Sequence, residues 1–194
     1  MSALTVAVMA TAGFSPFHFS VPCIIFGQSM PQPDLFRVAI CAEKPGVVLS
    51  DIGLSINVEQ GLALLDQADI IIIPYWNNPD ERPSQALLEA LRKAWQRGAE
   101  VVGLCLGTYV LAYAGLLDGH RAATHWEFEK DFTERFPAVH LDSNSLYTSD
   151  ERLITSAGTA AGIDCCLNII RDHYGSAVAN RVARRMVVPP YREG

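Results

Sequence analysis

The 194-residue sequence lacks any apolar run long enough to cross a lipid bilayer, which takes about 20 consecutive apolar residues. Its first six residues contain no basic stretch and no signal-peptidase site. Their pattern predicts a first β-strand instead of a secretory signal. We therefore expect a cytoplasmic protein that makes no contact with a membrane.

The sequence also lacks an excess of basic residues. Fifteen lysines and arginines stand against 21 aspartates and glutamates, which gives a formal net charge of −6. Phosphate contact normally needs a basic face, so this balance argues against nucleic-acid binding by the chain itself. Arg181, Arg184 and Arg185 are interpreted as favourable cations near the end of a helix, not as a DNA contact.

The five cysteines form no metal-binding or disulfide pattern. Their number is odd, no C-x-x-C occurs, and no cysteine and histidine stand at zinc-ligand spacing. This usage is typical of reduced thiols, most of them small core residues. We expect no metal site and no cofactor.

What the sequence does contain is an alternation of strand-like and helix-like segments. With 49 % apolar and 19 % charged residues, its composition is that of one globular domain. The run Ile70–Ile73 is typical of a central parallel strand buried on both faces. The apolar stripe between Pro83 and Arg97 predicts a helix that Gly98 ends. The alternation predicts an α/β protein with a mostly parallel sheet and helices on both faces.

The other predicted elements are shorter. The predicted strands are Leu4–Met9, Phe36–Cys41, Leu54–Val58, Glu100–Leu104, Ser145–Thr148 and Leu153–Thr155. One predicted helix runs from Thr108 to Leu117. Three others begin at Pro16, Glu127 and Ala177, and a further one lies around Ile163.

The segment Gly103–Gly107 places Cys105 between two glycines where a strand passes into an apolar helix. This is the arrangement of a nucleophile elbow, whose tight turn lifts the central side chain away from the backbone. The following helix directs its partial positive charge at the sulfur, which favours the thiolate. The alternative is that the glycines only allow close packing of strand and helix.

Ligands of open α/β sheets bind at the carboxyl ends of the strands, and further loops are expected there beside Cys105. One loop contains Tyr75 and Trp76, and another leads into His18. His125 stands directly before a predicted helix and is a candidate base for the cysteine. Residues 156–162 form a small-residue loop, for which close packing beside the cysteine is expected and anion binding is the alternative.

Six motifs follow one another along the chain: GLCLG at 103–107, AGLLDG at 114–119, ATHW at 123–126, RFP at 135–137, TSAGTAAGID at 155–164 and ANRVARRMVVPP at 179–190. Together they resemble the ThiJ/PfpI-like domain at the amino terminus of AraC-family transcriptional regulators, of the FtrA/GlxA type. The resemblance covers essentially the whole chain. It implies a flavodoxin-like three-layer sandwich, class I glutamine amidotransferase-like, and usually a homodimer.

The resemblance also implies a domain organisation. Residues 1–188 correspond to the ThiJ/PfpI-like domain, and residues 189–194 to the start of a linker. In the regulators this linker leads to a carboxy-terminal helix-turn-helix DNA-binding domain, which this sequence does not contain. DNA binding is then expected only through that missing domain.

Individual site residues are carried over from the same resemblance. Cys105 matches the nucleophile or redox cysteine, and His125 matches the histidine that often accompanies it. His18 stands where enzymes of the family have an acidic residue that hydrogen-bonds the sulfur. Leu106 replaces a polar residue, and Tyr75 replaces a glycine of the oxyanion loop. Cys105, His125 and His18 are therefore expected to form a vestigial catalytic set.

Two kinds of function follow. The first is a regulatory domain without catalytic activity, which binds an unidentified small-molecule effector near Cys105 and passes a change on through the dimer. The alternative is a cysteine-dependent enzyme, such as an isocyanide hydratase-like lyase or hydrolase, or a thiol sensor that is oxidised reversibly. The residues expected to bind the ligand are Tyr75, Trp76, Leu106, Thr124 and Gly158.

Overall fold

A six-stranded sheet forms the middle layer of the protein in the computed structural model, which describes residues 2–192 and 194. Met1, the first residue of the predicted domain, and Glu193, in the predicted linker, lie outside the described residues. The strands in chain order are β1 (Leu4–Met9), β2 (Phe36–Cys41), β3 (Gly46–Leu49), β4 (Ser55–Val58), β5 (Ile70–Ile73), β6 (Glu100–Leu104), β7 (Arg121–Ala122), β8 (His140–Leu141), β9 (Tyr147–Asp150) and β10 (Leu153–Ser156). The α-helices are α1 (Pro16–Ile25), α2 (Gln85–Arg97), α3 (Gly107–Tyr113), α4 (Glu129–Arg135), α5 (Ala161–Tyr174) and α6 (Ser176–Met186).

The strand order in the main sheet is β2-β1-β5-β6-β10-β9. The first five strands pair in parallel, and β9 pairs antiparallel with β10. The predicted mostly parallel sheet is confirmed. Because parallel strands end at the same edge, the loops that follow β1, β5, β6 and β10 meet there.

Strand β5 runs through the middle of the sheet, and its four isoleucines are fully buried, as predicted. Ile71 and Ile73 belong to the core layer that includes residues of α2, α3 and α4. Ile70 and Ile72 belong to the opposite layer, with residues of α1, α5 and α6. The pleat of a strand turns successive side chains to opposite faces, so one short run fills both layers. The flavodoxin-like three-layer sandwich is thereby confirmed.

Helix α2 shows how local chemistry sets the ends of an element. The Ser84 hydroxyl accepts a hydrogen bond of 3.2 Å from the N–H of Leu87, and Gly98 ends the helix with a left-handed φ of 114°. Leu88 and Leu91 of its apolar stripe are fully buried. None of the helices within residues 2–192 and 194 is long and apolar enough to cross a membrane.

Several details differ from the sequence prediction. Helix α3 ends at Tyr113 and not at Leu117, because Gly115 takes a left-handed φ of 75°. Strand β9 begins at Tyr147, where the prediction placed its start at Ser145. The short strands β7 and β8, which pair with each other, were not predicted. Nor was β3, which pairs antiparallel with β4. We call this two-stranded ribbon, with its connecting turn, the hairpin.

Strand β5 and helix α3 approach so closely that only glycine fits at position 107. A Cβ on Gly107 would overlap the carbonyl oxygen of Ile73 and lie 3.0 Å from its carbonyl carbon. A Cβ on Gly103 would likewise lie 2.9 Å from the carbonyl carbon of Gly107. The neighbours are backbone atoms, which cannot move aside without shifting the sheet. The close strand–helix packing that the two glycines suggested is confirmed.

We expect Gly107→Ala to lower the free energy of unfolding by about 3 kcal/mol or more, because the new methyl group has no space. Gly162→Ala in α5 is the matched control. Its Cβ would meet its nearest neighbour, Leu104 Cδ1, at 3.7 Å, which is ordinary contact. The control should change stability by no more than about 1 kcal/mol. Urea unfolding monitored by circular dichroism measures both, and equal midpoints would contradict the close approach.

Candidate functional site

Cys105 lies in the turn between β6 and α3, at the carboxyl edge of the sheet. Its φ is +56°, a left-handed value that is uncommon for a residue with a side chain, and it is 4 % exposed. Its N–H donates to the carbonyl of Ser156 at 3.1 Å, and its carbonyl accepts from the Thr124 hydroxyl at 2.9 Å. The backbone of the cysteine is therefore held from two sides in the predicted strand-to-helix turn.

The sulfur of Cys105 accepts hydrogen bonds from the backbone N–H groups of Leu106 and Thr159. Burial nevertheless raises the pKa of the thiol to about 11, and the two N–H groups offset this only in part. The expectation that the turn favours the thiolate is therefore wrong for this structure: Cys105 is a neutral thiol at pH 7.

Gly158 closes the site from the loop between β10 and α5. It takes a left-handed φ of 82°, and a Cβ there would overlap the Cβ of Cys105 and lie 2.7 Å from its sulfur. No side chain fits between the two segments. The close packing predicted for the small-residue loop is thus confirmed, and Gly158 acts by letting this loop reach the cysteine.

His18 joins α1 to the same loop. Its Nδ1 lies 2.7 Å from the Ser15 hydroxyl, and its Nε2 lies 3.3 Å from the Thr159 hydroxyl. Its ring centroid is 5.0 Å from that of Tyr75. Burial lowers the pKa of His18, electrostatic repulsion from His125 lowers it further, and nearby Asp51 opposes both. The imidazole is therefore neutral at pH 7, so one ring nitrogen donates while the other accepts.

His125 lies apart from the sulfur. It precedes the short 3-10 helix Trp126–Phe128, and its Nδ1 accepts from the N–H of Glu127 at 3.3 Å. Its ring stacks on that of Trp126 with the centroids 6.0 Å apart. Within residues 2–192 and 194, no hydrogen bond joins His125 to Cys105. The structure thus brings Cys105, His18 and Tyr75 together, whereas His125 makes its hydrogen bond and its ring contacts elsewhere.

The five predicted ligand-binding residues fall into two groups. Tyr75 faces His18 and Cys105, and its pKa is raised by burial, by the cysteine and by Asp51. Leu106 and Thr124 are buried beneath the turn, and Gly158 covers it. Trp76 instead lines a separate cleft, and its indole N–H donates to the carbonyl of Glu81 at 2.9 Å.

Trp76 lines an open cleft of about 490 Å³. The lining also includes β3 of the hairpin, where Val47 and Leu49 are 71 % and 63 % exposed. Ala10, in the segment after β1, and Lys44 belong to the same lining. The size and mixed lining of the cleft suit a small organic ligand. No cluster of His, Cys, Asp or Glu suited to a metal occurs in the part of the chain described here.

Sequence reasoning missed two residues that organise the site. Thr159 supplies both an N–H to the sulfur and a hydroxyl to His18, and its φ of 48° is left-handed. Ser15 stands directly before α1 but makes no capping bond, and its hydroxyl binds His18 instead. The only sequence signal for either residue was its place in a loop at the carboxyl edge of the sheet.

Comparison with known proteins gives a family match over most of the chain. Residues 5–172 match the DJ-1/PfpI family. Among solved structures, that of an AraC family transcriptional regulator from Pseudomonas putida superposes with a TM-score of 0.81 at 23 % identity. The superposition covers 94 % of this chain and 99 % of that chain, which shows a shared fold.

Two of the relatives are regulators from Pseudomonas aeruginosa. The chain is 35 % identical to the HTH-type transcriptional regulator CdhR over 155 residues, which are 80 % of this chain and 46 % of CdhR. It is 42 % identical to the HTH-type transcriptional regulator ArgR over 118 residues, which are 59 % of this chain and 36 % of ArgR. The chain therefore spans less than half the length of these two regulators.

A relative of another kind is the isonitrile hydratase of Pseudomonas putida. The chain is 31 % identical to it over 110 residues, which are 55 % of this chain and 47 % of the enzyme. Proteins of the same family thus include both regulators and an enzyme.

We expect Cys105 to react slowly with iodoacetamide, because a thiol with a pKa of about 11 is almost entirely protonated at pH 8. Its rate at pH 8 should be on the order of 100-fold below that of a cysteine with a pKa of about 8.5. Between pH 7 and 9.5 the rate should rise about tenfold per pH unit. Peptide-resolved mass spectrometry measures this, with the urea-unfolded chain as the reference.

Cys23 provides an internal control for this measurement, since burial raises its pKa to about 12. It should show the same slope without the backbone hydrogen bonds of Cys105. A Cys105 rate that levels off below pH 9 would contradict the neutral thiol.

Proposed function

The chain belongs to the DJ-1/PfpI family, and we propose that it is the effector-sensing and dimerisation domain of an AraC-type transcriptional regulator. The observation that carries the proposal is its similarity to HTH-type regulators. The match with CdhR runs through 80 % of this chain and leaves more than half of CdhR for other domains. In this proposal residues 1–188 form the sensing domain, residues 189–194 begin the linker, and the cytoplasmic protein contacts DNA through a separate helix-turn-helix domain.

The environment of Cys105 supports a role without catalysis. Its thiol is buried and its pKa is raised. In the described residues the sulfur is held by two backbone N–H groups, and neither a carboxylate nor an imidazole bonds to it. Both ring nitrogens of His18 lie against the hydroxyls of Ser15 and Thr159 instead. A nucleophilic cysteine needs a base in hydrogen-bond contact or a lowered pKa, and Cys105 has neither here. We propose that the cysteine turn is an inherited feature that stiffens the edge of the sheet.

We propose that the effector binds in the cleft between Trp76 and the hairpin. Val47, Leu49 and the indole ring of Trp76 provide apolar walls, and Asn77 and Lys44 provide polar groups. The indole N–H is already bonded to Glu81, so Trp76 offers the ligand the face of its ring. An amphipathic metabolite of low molecular mass fits this lining. In this proposal Tyr75, which directly precedes Trp76 in the chain, passes the occupation of the cleft on to His18 and the cysteine turn.

A thermal-shift screen with a metabolite library tests this proposal. A ligand at 100 times its dissociation constant adds about 2.7 kcal/mol to the stability of the native state, which corresponds to about 5–10 °C for a chain of this size. We expect at least one metabolite to produce such a shift in the wild type. Cys105→Ala should keep the shift, and Trp76→Ala should lose it.

Trp126→Ala is the matched control, because Trp126 is 71 % exposed and lies outside the cleft. It should respond like the wild type. A shift that persists in Trp76→Ala would contradict the placement of the effector. A shift that disappears in Cys105→Ala would make the thiol part of the binding site.

A cysteine-dependent enzyme is the second candidate. The match to isonitrile hydratase favours it, and so do the two N–H groups aimed at the sulfur and the left-handed φ of Cys105. In such an enzyme Cys105 would add to an electrophilic carbon, and His18 or His125 would transfer a proton. The buried neutral thiol argues against this second candidate.

We expect no hydration of alkyl or aryl isocyanides above the rate in buffer, because the thiolate fraction at pH 7 is on the order of 10⁻⁴ at a pKa of about 11. Infrared or chromatographic loss of the isocyanide measures the rate. Turnover that rises with pH and vanishes in Cys105→Ala would establish the enzyme and displace the regulatory proposal.

A further inference from the structure

Residues 187–192 cross helix α5 after α6 has ended, and we call them the strap. The N–H of Val188 donates to the carbonyl of Ala183 at 3.1 Å, so the strap leaves α6 in a fixed direction. Pro189 and Pro190 follow, and their rings fix the backbone φ. A segment that is already stiff loses little conformational entropy when it docks, which favours a defined position on the helix.

Two residues of α5 hold the strap. The Arg171 guanidinium donates to the carbonyl of Pro190 at 2.6 Å, and its carbon lies 4.9 Å from the centre of the Tyr191 ring. The Asp164 carboxylate accepts from the Arg192 guanidinium at 2.9 Å. Asp164 and Arg171 are seven positions apart, about two helical turns, and so share one face of α5. The strap therefore runs along α5 towards its first turn.

The ion pair between Asp164 and Arg192 ties the first turn of α5 to the strap. The Asp164 side chain is 6 % exposed, whereas that of Arg192 is 48 % exposed. Across the described residues, the single ion pair of Asp164 is the one with Arg192. A carboxylate this far from water is costly without a charged partner. A strap that leaves α5 therefore disfavours the present position of the first turn.

The first turn of α5 is joined to the segment that covers Cys105, which we call the cover loop (residues 157–160). The N–H of Ala161 donates to the carbonyl of Gly158 at 3.0 Å, and the N–H of Gly162 donates to the carbonyl of Thr159 at 3.1 Å. Gly158 packs against the cysteine, and Thr159 donates its N–H to the sulfur. The cover loop and the turn that binds the strap are thus one hydrogen-bonded unit.

We propose that the strap and the cover loop form one coupled switch. Docking of the strap through Asp164 and Arg171 holds the cover loop closed over Cys105, and opening of the loop releases the strap. The Thr159 hydroxyl also lies 3.3 Å from His18 Nε2, so the switch adjoins the residues that the proposed function uses to pass on occupation of the cleft. The inference rests on the proposed function for this regulatory meaning, whereas the coupling is measured without a ligand.

Alkylation of Cys105 by iodoacetamide at pH 8 tests one direction of the coupling, because the rate follows the population of the open loop. We expect Arg192→Ala to raise the rate at least about fivefold, the lower end of the range for coupled sites. Asp164→Asn should do the same. The double variant should react no faster than the faster single variant, because both remove one interaction.

Arg184→Ala is the matched control, since it removes an equal charge from an exposed position on α6, outside the strap. It should react like the wild type. Circular dichroism checks that every variant remains folded. If Asp164→Asn does not fold, Arg192→Ala still decides the question, because its side chain is half exposed.

Cleavage by chymotrypsin after Tyr191 tests the other direction, since a protease has to draw the strap off α5 before it cuts. Gly158→Ala forces the cover loop open, because the new methyl group would overlap the Cβ of Cys105. We expect it to speed the loss of residues 192–194, measured by intact mass, at least about fivefold. Gly162→Ala is the matched control, with its nearest contact at an ordinary 3.7 Å, and should be cut like the wild type.

Equal Cys105 rates in the wild type and in folded Arg192→Ala would overturn the proposal, and so would a folded Gly158→Ala variant that is cut at the wild-type rate. If Gly158→Ala does not fold, the alkylation rates decide alone. A chain whose strap and loop are coupled but which binds no metabolite would refute the sensing function and leave the switch standing. A chain that binds a metabolite while its strap variants behave like the wild type would do the reverse.

Discussion

The site depends on backbone segments that approach one another more closely than side chains allow. Gly107 rests against the carbonyl group of Ile73, Gly103 against Gly107, and Gly158 against Cys105. These contacts join β5, β6, α3 and the loop after β10 at one edge of the sheet. The left-handed φ of Cys105 persists because its neighbours leave the turn no other path. The glycines therefore position the sulfur, whatever chemistry the sulfur does or does not perform.

Much of the fold is predictable because local chemistry and burial agree. A run of four isoleucines can only be a strand buried on both faces, and the residues flanking α2 mark both its ends.

Strand β3 was missed because a four-residue strand with alternate exposed positions is too short to show a period. Helix α3 was predicted too long because Leu116 and Leu117 are apolar. Both leucines lie beyond the end of the helix and are nevertheless buried. The helix ends before them because Gly115 takes a left-handed φ.

The site was less predictable than the fold. The rule that loops meet at the carboxyl edge correctly placed His18 and Tyr75 beside Cys105. No pattern shows that Trp76 lines a cleft of its own, since successive residues of an extended segment point to opposite sides and the sequence does not say which side faces the cysteine. The acidity of the thiol also depends on burial, which is a property of the whole fold, and here burial raises its pKa.

The hydrogen bond between His18 and Thr159 joins residues 141 positions apart, and it has a consequence for how the protein is made. A ribosome that has just completed α3 has not yet synthesised the loop that covers Cys105. During that interval the cysteine has neither its cover at Gly158 nor the N–H of Thr159. A thiol that is only 4 % exposed in the finished protein is therefore accessible to oxidants in the nascent chain. Contacts between distant parts of a chain also form slowly, which lengthens that interval.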